Sequence, residues 1–132
     1  MLSICCFFGC AKEEVSPVPY VIVDVIVPIY GHPRLSQGYS EKITNPPCGY
    51  ANHGIIVTPY GSDYYAYDAT CPKDITHAVN VNDDGTMTAY CPKCKITYNV
   101  RKDDGYSTDG SLRLKQYRAY SSSDNIRLFI TN

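Results

Sequence analysis

The tripeptide Cys-Pro-Lys occurs twice in the chain, at residues 71–73 and 91–93, each time directly after an aromatic run that is typical of a β-strand. Proline cannot donate to a strand ladder, so each cysteine marks the place where a strand gives way to a loop. Cys94 completes a Cys-x-x-Cys spacing with Cys91. Because two loops at the ends of adjacent hairpins can meet at one centre, Cys71, Cys91 and Cys94 are the first candidates for a metal or cluster site.

The rest of the sequence consists of short strand patterns separated by turn signals. Gly61-Ser62-Asp63 and Asp83-Asp84-Gly85 suit hairpin turns, because glycine and aspartate tolerate the backbone conformations that such turns need. No segment shows a sustained helical period. The sequence therefore predicts a small all-β domain over residues 20–132, built from hairpins. Its strand patterns cover residues 21–29, 53–60, 64–69, 79–82, 86–91, 96–100, 115–120 and 126–131, with at most a short strand near 42–44.

The first ten residues have a composition of their own. MLSICCFFG is apolar but far shorter than the roughly 20 residues that span a bilayer, and it has no basic head. With Cys10 it resembles the end of a bacterial lipoprotein signal peptide, and Lys12-Glu13-Glu14 resembles the export signal of Bacteroidota surface lipoproteins. The resemblance implies a signal remnant over residues 1–10, lipidation at Cys10 and a tether over residues 11–19. It also implies a lipid-anchored place in the cell envelope, at the outer membrane, in the periplasm or at the surface. A buried first strand is the alternative.

Charge and motif content exclude some classes of function. The formal net charge of −1 removes the electrostatic attraction on which sequence-independent nucleic-acid binding depends, so no nucleic-acid partner is expected. His32, His53 and His77 are present without a nucleophile motif, a carboxylate pair in an apolar setting or a glycine-rich phosphate loop. The sequence therefore does not predict an enzyme.

The order of the motifs carries a family resemblance. The run YYAYDATCP, followed by AYCPKCKITY and then LKQY, resembles the Rieske-type [2Fe-2S] domain, whose pattern is an aromatic-x-Asp strand, C-P-H, a hairpin and C-P-x-H-G-x-x-F. The match covers roughly residues 55–130, and the order of strands agrees throughout. It implies a small antiparallel β-sandwich or barrel with a hairpin-built cluster-binding subdomain. The ligands depart from the pattern, because Lys73 and Cys94 stand at the two histidine positions.

The sequence allows three possibilities for what the cysteine loops hold. Cys71, Cys91 and Cys94 with His77 would give a Cys3His zinc site, and Cys48 in place of His77 would give four thiolates for zinc or a [2Fe-2S] cluster. The resemblance places Cys71 and Cys91 on one iron, so a disulfide between them is the second possibility. By closing a loop of about 20 residues it would contribute roughly 3 kcal/mol. Cys94 would then be free or paired with Cys48. Free buried thiols without a cofactor are the third.

Two functions follow. The resemblance implies electron transfer through a non-standard iron-sulfur or other metal centre, with Lys93, Lys95, Arg101 and Lys102 as a docking face for an acidic redox protein. The alternative is a cluster-free binding module at the cell surface, stabilised by zinc or a disulfide, which presents tyrosines to a surface ligand. The membrane is expected to be a partner only through the lipid anchor. The tyrosines of this second hypothesis are Tyr39, Tyr50, Tyr60, Tyr64 and Tyr65.

Overall fold

The computed structural model describes residues 16–132 of the chain, which form two antiparallel sheets. The strands are β1 (Asp24–Pro28), β2 (Glu41–Ile43), β3 (Ile55–Tyr60), β4 (Asp63–Asp68), β5 (Asn80–Val81), β6 (Thr88–Cys91), β7 (Ile96–Asn99), β8 (Gln116–Ser121) and β9 (Arg127–Thr131). Six of them form a sheet in the order β1-β9-β8-β4-β3-β2, and β5-β6-β7 form the smaller sheet. The all-β prediction is confirmed.

The predicted hairpins are present with short turns. β3 and β4 pair in a register that sets Tyr60 opposite Asp63, so Gly61 and Ser62 make the turn, and Gly61 has a φ of +61°. β6 and β7 pair so that Cys91 lies opposite Ile96. The turn that the sequence predicts at residues 83–85 joins β5 to β6, and Gly85 there has a φ of +80°. Glycine adopts these conformations without the steric cost that a side chain adds.

Helical structure is confined to single turns. A one-turn helix, α1 (Pro33–Ser36), lies in the segment that the sequence describes only as a long connection, and 3-10 turns cover Ile29–Gly31 and Tyr50–Asn52. Pro33 at the first helical position fits the geometry of a helix start. Within residues 16–132, no helix has the length and apolar character needed to cross a membrane.

Two hydrophobic clusters flank the β3–β4 hairpin. Ile55 and Val57 belong to the larger cluster, which is formed mainly by residues of the six-stranded sheet. Ile56 and Tyr67 belong to a second cluster, which they share with residues of the smaller sheet. Side chains alternate between the faces of a strand, so one strand can serve both clusters. Five consecutive residues of β3 are buried as a result. Cys71, three residues after β4, and Cys91, the last residue of β6, both belong to the second cluster.

Two observations concern the predicted domain boundaries. Val18, which the sequence assigns to the tether, is only 2% exposed, and the ammonium of Lys115 lies 3.4 Å from the carbonyl oxygen of Pro19. The last residues before the domain therefore pack on it, although the boundary at residue 20 itself stays a prediction. The signal remnant, the lipidation of Cys10 and the rest of the tether up to residue 15 lie outside the described residues.

Candidate metal centre

Cys71 lies in a loop that hydrogen bonds fix at its start and close at its end. The carboxylate of Asp68, at the end of β4, accepts a hydrogen bond from the backbone N–H of Thr70 at 3.0 Å. The backbone N–H of Cys71 then donates to the carbonyl oxygen of His77 at 2.9 Å, which closes the loop. The thiol of Cys71 is fully buried. The sequence places this cysteine at the end of an Asp-containing strand, and the structure uses that aspartate to hold the loop.

Cys91 and Cys94 lie in the tight connection between β6 and β7. The backbone N–H of Lys95 donates to the carbonyl oxygen of Cys91 at 2.8 Å, and Lys95 adopts a positive φ of +59°. The backbone N–H of Cys94 points to the sulfur of Cys91 at 3.4 Å. This short loop therefore presents two sulfurs and one sulfur-directed amide.

The two loops bring three sulfur atoms together, as the sequence predicts. The Sγ atoms of Cys71, Cys91 and Cys94 all lie within 4.8 Å of one another. Cys71 and Cys91 are fully buried, and Cys94 is half-buried. We refer to these three residues as the cysteine trio. The structure contains no disulfide among the four cysteines of the described residues.

The environment shifts the pKa values of Cys71 and Cys94 in opposite directions. Burial raises the pKa of the Cys71 thiol, but hydrogen bonds from the Tyr98 hydroxyl and from backbone N–H groups outweigh it, so this pKa lies below its ordinary value. Burial, together with the neighbouring sulfurs, raises the pKa of Cys94 to about 11. Cys71 therefore loses its proton at a lower pH than Cys94, and the thiolate is the form of a cysteine that binds a metal.

Tyr98 is the residue of the site that the motif spacing alone did not single out. Its hydroxyl lies 3.4 Å from the sulfur of Cys71, and its ring is fully buried. Burial and the interaction with Cys71 raise the pKa of this tyrosine, so it stays a neutral hydrogen-bond donor. A signal was present in the sequence, because the residue occupies the aromatic position of the motif that the second cysteine loop resembles.

His77 lies beside the trio, and its ring faces other groups. Its Nε2 atom is 3.4 Å from the ammonium of Lys93 and 3.8 Å from a carboxylate oxygen of Asp74. Lys93 also approaches Asp74, at 3.7 Å, so the two cysteine loops are joined by these exposed polar side chains. Among residues 16–132, the ligand atoms of Cys, His, Asp and Glu residues converge in a group of three at the trio. His77 does not belong to this group.

Cys48 is in a different part of the fold. It packs in the larger hydrophobic cluster, and its thiol donates to the carbonyl oxygen of Ile43 at 3.3 Å. Burial, together with the nearby charge of Asp68, raises its pKa to about 11, which keeps it a thiol. The structure therefore does not bring Cys48 to the trio, either as a fourth thiolate or as a partner for Cys94.

The trio can be compared with the ligand set of the iron-sulfur cluster that the fold resemblance implies. A Rieske centre takes two cysteines and two histidines, and an all-thiolate [2Fe-2S] cluster takes four cysteines. Lys73 and Cys94 occupy the histidine positions, and Lys73 is exposed. The described residues thus supply three converging thiols, which is one protein ligand fewer than such a cluster takes.

Comparison with known proteins supports the fold. No protein-family model matches the sequence, and no curated protein matches it. Among solved structures, the ferredoxin of carbazole 1,9a-dioxygenase from Nocardioides aromaticivorans IC177 matches with a TM-score of 0.51 and 15% sequence identity, over 85% of this chain and 98% of that one. At this identity the likeness shows the fold alone, which is the Rieske-like antiparallel arrangement that the sequence predicts.

Proposed function

We propose that this chain is a metal-binding protein in which a Rieske-like fold holds a thiophilic metal at the cysteine trio. The observation that carries the proposal is the convergence of three sulfurs within 4.8 Å from two separate loops. Thiolates are soft ligands that select zinc, univalent copper or iron. The hydroxyl of Tyr98, which points to Cys71, favours the anionic form of that cysteine, and the anionic form is the one that binds a metal.

Electron transfer is the finer part of the proposal. It draws on the likeness of the fold to a ferredoxin and applies where the bound metal is redox-active. The exposed side chains of Lys93 and Lys95 adjoin the trio and would attract an acidic redox partner over a distance of about 10 Å at 0.1 M salt. Lipid anchoring through Cys10 and a place in the cell envelope remain predictions.

Metal analysis of the full chain, purified without oxygen, tests the proposal. We expect bound zinc, iron or copper in the wild-type protein, and at least a tenfold loss of affinity in Cys71→Ser, Cys91→Ser and Cys94→Ser. Cys48→Ala is the matched control, because this cysteine is buried but lies outside the trio. Equal metal contents in the control and in all three serine variants would contradict the proposal.

The same preparation tests electron transfer and the alternative. An iron-loaded protein should give a reversible wave in film voltammetry that Cys71→Ser removes, and no such wave means that the electron-transfer part is wrong. For the alternative, the thiols are counted in the unfolded protein before and after reduction. A rise of two thiols in the wild-type protein but not in Cys71→Ser, without bound metal, would indicate a disulfide-stabilised binding module instead.

A further inference from the structure

We propose that the cysteine trio is a mononuclear site, which takes one thiophilic ion on three thiolates and leaves a fourth coordination position for a small external ligand. The inference rests on the proposed function and specifies the class of ion. It departs from the diiron cluster that the fold resemblance implies.

The spacing of the sulfurs carries the first step. With metal–sulfur bonds of about 2.3 Å, two thiolates on one tetrahedral ion are about 3.8 Å apart, and on a trigonal ion about 4.0 Å apart. All three sulfur pairs of the trio lie within 4.8 Å, so contractions of about 1 Å or less bring every pair to the distance that one ion requires. Side-chain rotations in the two loops can supply shifts of this size.

A diiron cluster would require a different pattern of distances. Three cysteines on two irons place two sulfurs on one iron and the third on the other, so two of the three pairs must also span the two-iron core. Those two pairs would be clearly wider than the third. No pair in the trio exceeds 4.8 Å, so a diiron cluster would require one sulfur to move away from the other two, whereas a single ion requires no such separation.

The surroundings of the trio carry the second step. Among residues 16–132, no further Cys, His, Asp or Glu ligand atom joins the three sulfurs. The ring of His77 faces Lys93 and Asp74, and Cys48 is packed in the larger hydrophobic cluster. Cys94 is the least buried of the three thiols, which indicates the side from which an external ligand enters. Three ligands and an open position are typical of zinc sites that bind a small molecule.

Titration of the reduced full chain with Co²⁺ and Zn²⁺, without oxygen, tests the inference. We expect the trio to bind one ion, and Cys94→Ser to lose about a third of the sulfur-to-cobalt charge-transfer absorbance, because one of three thiolates is gone. Imidazole added to the Co²⁺ protein should shift the visible bands, because it enters the open position. His77→Ala should retain wild-type affinity for both ions, since this side chain lies outside the trio.

The contrary results distinguish a failure of the mononuclear site from a failure of the proposed metal binding. Two irons and two sulfides per chain, lost in the Cys71→Ser variant, would overturn the mononuclear site and leave the proposed metal binding intact. Bands unaffected by imidazole, or a loss of affinity of tenfold or more in His77→Ala, would show that the protein fills the fourth position and would also overturn it. Failure of the wild-type trio to bind any of the ions would overturn the proposed function as well.

Discussion

Replacement of Asp68 by asparagine is expected to destabilise the protein strongly, because this buried carboxylate joins three parts of the chain. Its Oδ1 atom accepts the backbone N–H of Thr70 at 3.0 Å. Its Oδ2 atom accepts the backbone N–H of Tyr50 at 2.9 Å and the hydroxyl of Tyr117 at 2.6 Å. An asparagine fits the same space but offers one acceptor oxygen in place of two, so one of the three donors would meet an NH2 group instead.

The hydrogen bonds set the size of the effect. A hydrogen bond to a charged group contributes about 1.5–3 kcal/mol, and one between neutral groups about 1 kcal/mol. With the amide oxygen towards Tyr50 and Tyr117, Asp68→Asn loses the bond to Thr70 and weakens the other two, a total of about 3–4 kcal/mol. Tyr117→Phe removes one donor and should cost about 2 kcal/mol. Because these two side chains share a bond, the double variant should be less destabilised than the sum of the single variants by about 1 kcal/mol.

Urea denaturation followed by far-ultraviolet circular dichroism measures these free energies of unfolding. Asp63→Asn is the matched control, since it lies at the exposed start of the same strand and should change stability by less than about 0.5 kcal/mol. If Asp68→Asn were as stable as this control, the three hydrogen bonds would not stabilise the fold, and the reasoning would be refuted.

Three further predictions concern a packed glycine, an acidic turn and the trio. Gly105→Ala should lower the free energy of unfolding by about 2–4 kcal/mol, because the φ there is +89° and the new Cβ would lie 2.8 Å from a buried tyrosine ring. Gly61→Ala, with open space around it, should cost about 1 kcal/mol in the same urea assay, and equal losses would contradict the packing argument. Hydrogen bonds from nearby serines lower the pKa of Asp109 to about 2. The ionised carboxylate therefore stabilises the fold above the ordinary pKa of aspartate, and this stabilisation is lost as the pH falls towards 2. A carboxyl NMR titration with a midpoint near the ordinary value would disprove this. Tyr98→Phe should raise the pKa of Cys71 towards its ordinary value, because the hydroxyl that stabilises the thiolate is gone. The thiolate absorbance of the reduced, metal-free protein, followed as a function of pH, measures this change. An unchanged titration would refute the role of the hydroxyl.

Local chemistry in the sequence predicts most of the strands and the convergence of the trio. The β3–β4 hairpin follows from its glycine-containing turn, and the positions of Cys71 and Cys91 follow from strands that end at Cys-Pro. The helix α1 escaped prediction because one turn is shorter than the window in which helical periodicity can be seen. Its single turn is closed by the hydrogen bond from the backbone N–H of Gln37 to the carbonyl oxygen of Pro33 at 3.2 Å, and its Leu35 is buried in the larger hydrophobic cluster.

Long-range placement could not be predicted in the same way. Cys48 follows two prolines at the end of an irregular connection, and nothing in its neighbours indicates which hydrophobic cluster it enters. His77 is six residues after Cys71, a spacing compatible with a shared ligand role, yet its backbone carbonyl is the group that contacts Cys71. The imidazole ring instead lies near Asp74 and Lys93, which the fold brings together from different loops.

The burial of the β3–β4 hairpin on both faces has a consequence for the way the molecule opens. A strand that is covered on both sides cannot be released by the loosening of one sheet alone. Hydrogen–deuterium exchange at the amides of Ile56 and Tyr67 should therefore require disruption of both clusters together, and these amides should be among the slowest to exchange. A ligand that tightens the cysteine loops would then slow exchange deep in the opposite half of the protein as well.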